Sequence, residues 1–146
     1  MSLENLLKTG QLAEHETDAA QVKKLLEASA RCLDDARQTS ITPETRLEAG
    51  YRAIMQLSMV ALWANGFRPL STSGHHMTMI QSLVSSIGLD TDQMRLLDSF
   101  RAKRNAISYS GEPMDESSVA ACILAGEQLM HQVQNWLSEN RPDLMT

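Results

Sequence analysis

Arg101, Arg104, Asn105 and Tyr109 lie close together in the stretch FRAKRNAISYSG, residues 100–111. At about 100° per residue on a helix, Arg101, Asn105 and Tyr109 fall on one stripe at i, i+4 and i+8, with Arg104 and Ser108 beside it. Four basic residues and one acid, Asp98, occupy positions 95–109, against a formal charge of −5 for the whole chain. Arginine presents a planar donor fork suited to phosphate or carboxylate, and asparagine adds a donor and an acceptor. Such a row can hold a phosphodiester or a nucleotide. The same residues admit a purely structural reading, because cations near a helix C-terminus offset its dipole by about 0.3–1 kcal/mol each. Residue types and spacing leave both readings open.

Other reactive side chains are more scattered. His75 and His76 are adjacent, so on a helix they diverge by about 100° and do not grip one metal unaided. A role at a helix start or in packing is expected of them, ahead of metal binding. His15 falls in an acidic segment expected to be mobile, and His131 has no ligand-spaced company. Cys32 and Cys122 sit inside helical patterns without a neighbouring His, Lys or Arg constellation, and read as small core residues in a reduced, cytoplasmic protein. Ser71, Thr72 and Ser73 precede a helix and read as caps before they read as a phosphate loop. No Walker, dinucleotide or zinc signature occurs, so no metal and no cofactor is expected.

The elements that must position these residues are helices. The chain has 146 residues, 42% hydrophobic and 21% charged, with 4% aromatics, nine methionines, and few Gly and Pro, almost all at segment boundaries. That is one soluble domain over 1–146, with 1–16 loosely attached. The apolar run AIMQLSMVALWA, 53–64, is too short and too interrupted to span a bilayer, and MSLENLLKTG lacks the pattern of a secretory signal.

A short helix is expected over 2–9. Val22, Leu25, Leu26, Ser29 and Leu33 then mark an amphipathic helix capped by Asp18 with Gln21 reaching back. Thr42-Pro43 opens a central helix ending at Asn65-Gly66. Ile80, Leu83, Val84 and Ile87 form a fourth segment closing on Gly88, and Asp90 with Gln93 opens the fifth. On that fifth helix Leu96, Phe100 and Ile107 are expected to face the core. Cys122, Gly126, Leu129, Val133 and Trp136 then mark a packing seam over about 115–139. No strand alternation is evident, and the pattern predicts an all-α, up-and-down bundle of about five helices.

RNAISYSG resembles the Arg-Asn-x-x-x-(His/Tyr) signature of the HEPN superfamily. AGYRAIMQLSMVALWANGFRPLSTSGHHMTMIQSL resembles that family's middle region, where a long helix ends at Gly and a Gly-His-His run opens the next. The similarity covers residues 46–111. It implies a HEPN-like helical bundle that forms a homodimer. Family members include RNases of toxin–antitoxin type, paired with a small nucleotidyltransferase, as well as nucleotide-binding and non-catalytic modules.

Arg104 and Asn105 match the family's Arg-polar pair, while Tyr109 stands where the catalytic His would be. A His titrates at about 6.5 and an unperturbed Tyr at about 10, so Tyr109 is a poor base at pH 7 but a capable hydrogen-bond donor. The resemblance therefore implies an RNA- or nucleotide-binding module using Arg101, Arg104, Asn105 and Tyr109. It would act beside a nucleotidyltransferase-like or other partner, with weak catalysis or none. The alternative is a divergent metal-independent RNase in which Tyr109, or His75/His76 brought near, handles the protons. A third reading makes the stripe a mere dimer interface.

Overall fold

The long helices begin where the sequence supplies a side-chain acceptor. In a computed structural model, which describes residues 2–146 apart from the side chains of Ser108 and Tyr109, Asp18 accepts from the Gln21 N–H at 2.8 Å and starts α2 (Ala19–Ala36). Thr42 accepts from the Thr45 N–H, and Pro43 takes the first position of α3 (Pro43–Ala64), where its missing donor costs nothing. Asp90 opens α6 (Thr91–Ser110) and Asp115 opens α7 (Glu116–Asn140). Each acceptor satisfies backbone donors that the first turn leaves without partners. Gln21 does not reach back to Asp18; its side-chain oxygen accepts from the Thr17 hydroxyl instead.

The fold is an all-α helical bundle with α3 at its centre. This helix is buried on several faces and packs chiefly against α2 and α7. The amphipathic stripe of α2 buries Val22, Ser29 and Leu33, with Leu25 and Leu26 at its half-buried edge. On α7 the seam through Cys122, Gly126, Leu129 and Val133 is buried; Leu137 completes it, while Trp136 is half-buried.

Three features depart from the sequence expectation. First, two short strands, β1 (Leu12–Glu14) and β2 (Phe67–Pro69), pair antiparallel with Leu12 opposite Pro69 and Glu14 opposite Phe67. Together with α1 (Leu3–Lys8), whose Leu3 and Leu6 are buried, this ribbon ties the N-terminal residues onto the bundle. His15 accordingly has a fixed place: its N–H donates to the Gly66 carbonyl and its ring stacks on Trp63 with centroids 5.1 Å apart.

Second, the fourth segment breaks into α4 (His75–Gln81) and α5 (Leu83–Ser86), the Ser82 hydroxyl donating back to the Met79 carbonyl at 2.7 Å. Val84 is exposed as a result of where that short helix points. The pair ends on Gly88 at φ +69°, where the Leu89 N–H donates back to the Leu83 carbonyl.

Third, on α6 Phe100 and Ile107 face the core as expected, but the buried leucine is Leu97, one residue on from the expected Leu96. Leu97 and Phe100 are buried and Ile107 half-buried, while Leu96 is 44% exposed. Successive residues differ by about 100°, so that single step turns Leu96 out to solvent. Arg104, four residues past Phe100 and seven past Leu97, lies on the same inward-facing stripe. The helix closes at Gly111, φ +70°, whose N–H donates to the Ile107 carbonyl. Among the described residues no helix is long and apolar enough to cross a membrane.

Candidate functional site

The inward register of α6 carries Arg104 to a cleft of about 480 Å³ between α3, α4 and α6. One face of α3 forms its floor, through Glu48, Tyr51, Arg52, Met55, Gln56, Met59 and Trp63, spaced three and four residues apart so that they point the same way. His75, His76 and Met79 of α4 form one wall, with Ser71 and Pro69 from the preceding segment. The cleft is thus charged toward Glu48 and Arg104, and apolar toward Met59 and Trp63.

Arg104 is held from two sides. Its Nε donates to Glu48 Oε2 at 3.0 Å and its Nη2 to Glu48 Oε1 at 3.2 Å, a two-point clamp from α6 to α3. Its guanidinium carbon lies 5.5 Å from the Tyr51 ring centroid, within cation–π range. Tyr51 is only 2% exposed, and its hydroxyl lies 2.9 Å from His76 Nδ1. The rings of His75 and His76 meet edge to face with centroids 4.6 Å apart, and His75 Nδ1 lies 3.1 Å from the Thr72 carbonyl oxygen. The Ser71–Ser73 hydroxyls make no cap here; Gly74, in left-handed conformation, takes the position before α4.

Burial and the positive groups around it move these pKa values. Burial pushes the Tyr51 phenol up to about 12, outweighing the opposing pull of Arg104 and Arg101. Burial also lowers the pKa of His76, and His75, Arg104 and Arg101 lower it further while Glu48 opposes them. At neutral pH the cleft therefore holds a protonated phenol beside a neutral imidazole.

Of the four residues singled out in the sequence, Arg104 lines this cleft. Arg101 is turned onto its own helix and clamped by Asp98, at 2.7 Å from Nε to Oδ1 and 3.2 Å from Nη2 to Oδ2. Asn105 is exposed on the outer face. The side chain of Tyr109 lies outside the described residues. His75 and His76, set apart from the arginine row in sequence, share the cleft with Arg104. Glu48 and Tyr51 are neighbours of Arg104 in the cleft that the sequence did not single out. A signal was present: Glu48, Arg52 and Gln56 form a polar i, i+4, i+8 row on a helix that is apolar on several other faces.

Among the described residues no group of three or more His, Cys, Asp or Glu side chains comes together as a metal site. Cys122 is buried and its thiol pushed up to about 12 by that burial, which removes it as a nucleophile at neutral pH. Gln56 Oε1, at the cleft, and His15 Nε2 are buried without a hydrogen-bond partner. No known family model matches the chain, and no curated protein shows significant similarity to it.

Proposed function

We propose that the chain is an RNA- or nucleotide-binding module of HEPN type that holds a phosphate in the Arg104 cleft, with weak catalysis or none. The observation that carries this reading is the convergence of Arg104 from α6 with His75 and His76 from α4 around one cleft. The Arg104 guanidinium and the His76 imidazole supply a cationic and a neutral donor for a phosphoryl group, His75 adds a polar ring beside them, and the Met59–Trp63 end supplies apolar surface for a base. The module would work in the cytoplasm as a homodimer, beside a nucleotidyltransferase-like or other protein partner, as the sequence resemblance implies. A second reading, a metal-independent RNase, draws on the neutral His76 imidazole, since an uncharged ring near neutral pH is what proton transfer requires.

Glu48 sets the test. It already occupies Arg104, so an incoming phosphate must share or displace a carboxylate. Arg104→Ala should weaken binding of a fluorescent single-stranded RNA by roughly one to two powers of ten, the value of a charge-assisted contact of about 1.5–3 kcal/mol. Glu48→Gln should tighten it, because the competing charge is gone. Both side chains are partly exposed, at 33% and 40%, and such pairs contribute only about 0–1 kcal/mol, so the melting temperature should barely move. Binding should also fall with added salt. If Arg104→Ala melts the protein and leaves RNA affinity unchanged, the clamp is structural and the reading is wrong.

A further inference from the structure

We infer that His75 and His76 are held in opposite tautomers and together read a ribonucleotide, His75 Nε2 accepting from a ribose 2′-hydroxyl while the His76 Nε2–H donates to an oxygen of the adjacent phosphate. This rests on the RNA-binding reading and narrows it to ribose over deoxyribose.

The tautomers follow from what each Nδ1 faces. The partner of His75 Nδ1 is the Thr72 carbonyl oxygen at 3.1 Å, which only accepts, so that nitrogen carries the hydrogen. In the neutral ring the lone pair is then on Nε2. His76 Nδ1 instead faces the Tyr51 hydroxyl at 2.9 Å. Tyr51 is buried, retains its proton, and has this ring nitrogen as its hydrogen-bond partner, so the phenol donates and Nδ1 accepts. The hydrogen of the His76 ring is then on Nε2.

Two adjacent residues of one α4 turn thus offer one acceptor and one donor, with rings in edge-to-face contact at 4.6 Å, beside a cation on the opposite wall. A ribonucleotide presents the matching pair, a hydroxyl that donates next to a phosphate that accepts. Deoxyribose lacks that hydroxyl, which is the group by which proteins tell RNA from DNA. Tyr51 acts as a positioning residue: it touches no ligand but fixes which nitrogen of His76 is the donor.

The test combines nitrogen-15 NMR of the histidine rings, at mildly alkaline pH where imidazoles are neutral, with anisotropy titrations of RNA and DNA oligonucleotides of matched sequence. The spectra should show His75 protonated at Nδ1 and His76 at Nε2. RNA should bind roughly tenfold more tightly than DNA, the value of one good hydrogen bond. His75→Ala, at a half-exposed position, should abolish that preference by weakening RNA alone. Like tautomers in the two rings, equal affinity for RNA and DNA, or a preference that survives His75→Ala would each overturn the inference. Equal affinity would leave the phosphate-binding reading standing; binding of neither strand would sink both.

Discussion

Tyr51 couples the cleft to the stability of the fold. It is buried in α3, lies under the Arg104 guanidinium and shares a hydrogen bond with His76, so its titration and that of its partner mark the pH limits within which this arrangement holds. In the unfolded chain a tyrosine loses its proton at about 10, whereas in the fold Tyr51 holds it until about 12. Between those values the unfolded state releases a proton that the native state keeps, so stability falls as pH rises through this window. For His76 the sign is reversed in pH. Its folded pKa is lowered, so the unfolded chain takes up a proton first as pH drops below about 6.5, and stability falls on that side as well. Thermal unfolding across pH should therefore show losses on both limbs, and Tyr51→Phe should lose less on the alkaline limb than the native chain does. Parallel alkaline curves for the two proteins would show that Tyr51 titrates as an ordinary exposed phenol. The Arg104 row was legible in the sequence because its charges are contiguous. The polar row through Glu48 was legible too, but its pairing with Arg104 and the place of Tyr51 were not, since they sit more than a dozen helical turns of chain away and only the packing of α6 on α3 brings them near.

At the level of elements, the packing of α7 against α2 and α3 leaves little room beside two glycines. A Cβ on Gly126 would lie 2.9 Å from Leu33 Cδ2, and one on Gly50 would lie 3.1 Å from Cys122 Sγ and 3.8 Å from Ala36 Cβ. At Gly50 two effects oppose each other. Alanine in a helix interior gains about 1 kcal/mol over glycine, but overpacking a tight core costs about 1–3 kcal/mol. Gly50→Ala should therefore be neutral to destabilising alone and stabilising when Cys122→Ala removes the sulfur it meets. A denaturant double-mutant cycle should show coupling of roughly 0.5–3 kcal/mol; additive effects would mean that the helices simply part. The helix starts at Asp18, Thr42 and Asp90 could be read from sequence because capping is local chemistry. The β1–β2 ribbon could not, since three-residue strands carry too little alternation to detect. Phe100 and Ile107 were legible as the core side of α6, but not the choice between the neighbouring leucines at 96 and 97, which compete for one core position that only the facing helices decide.

For the whole molecule the exposed apolar residues of α4, α5 and α6 bear on assembly. These three elements pack on one another, and each carries an exposed apolar side chain: Met77 on α4, Val84 on α5 and Leu96 on α6. Single exposed apolar residues are ordinary on protein surfaces, so their weight comes from where they lie, on adjoining helices of which α4 and α6 also build the Arg104 cleft. In a two-fold homodimer formed through α6, each such residue would meet the same surface on the partner. The arginines brought together there would repel, but each already carries its own carboxylate, Glu48 on Arg104 and Asp98 on Arg101, so the approaching helices present paired charges in place of bare cations. Light scattering at micromolar concentration should thus give twice the chain mass of 16.2 kDa. Leu96→Glu should halve it while leaving the monomer's core intact, because Leu97 and not Leu96 is the buried residue of that turn. A native mass of one chain would remove the dimer, and with it any role for a second Arg104 in the cleft. A dimer that survives Leu96→Glu would place the interface on another face of the bundle.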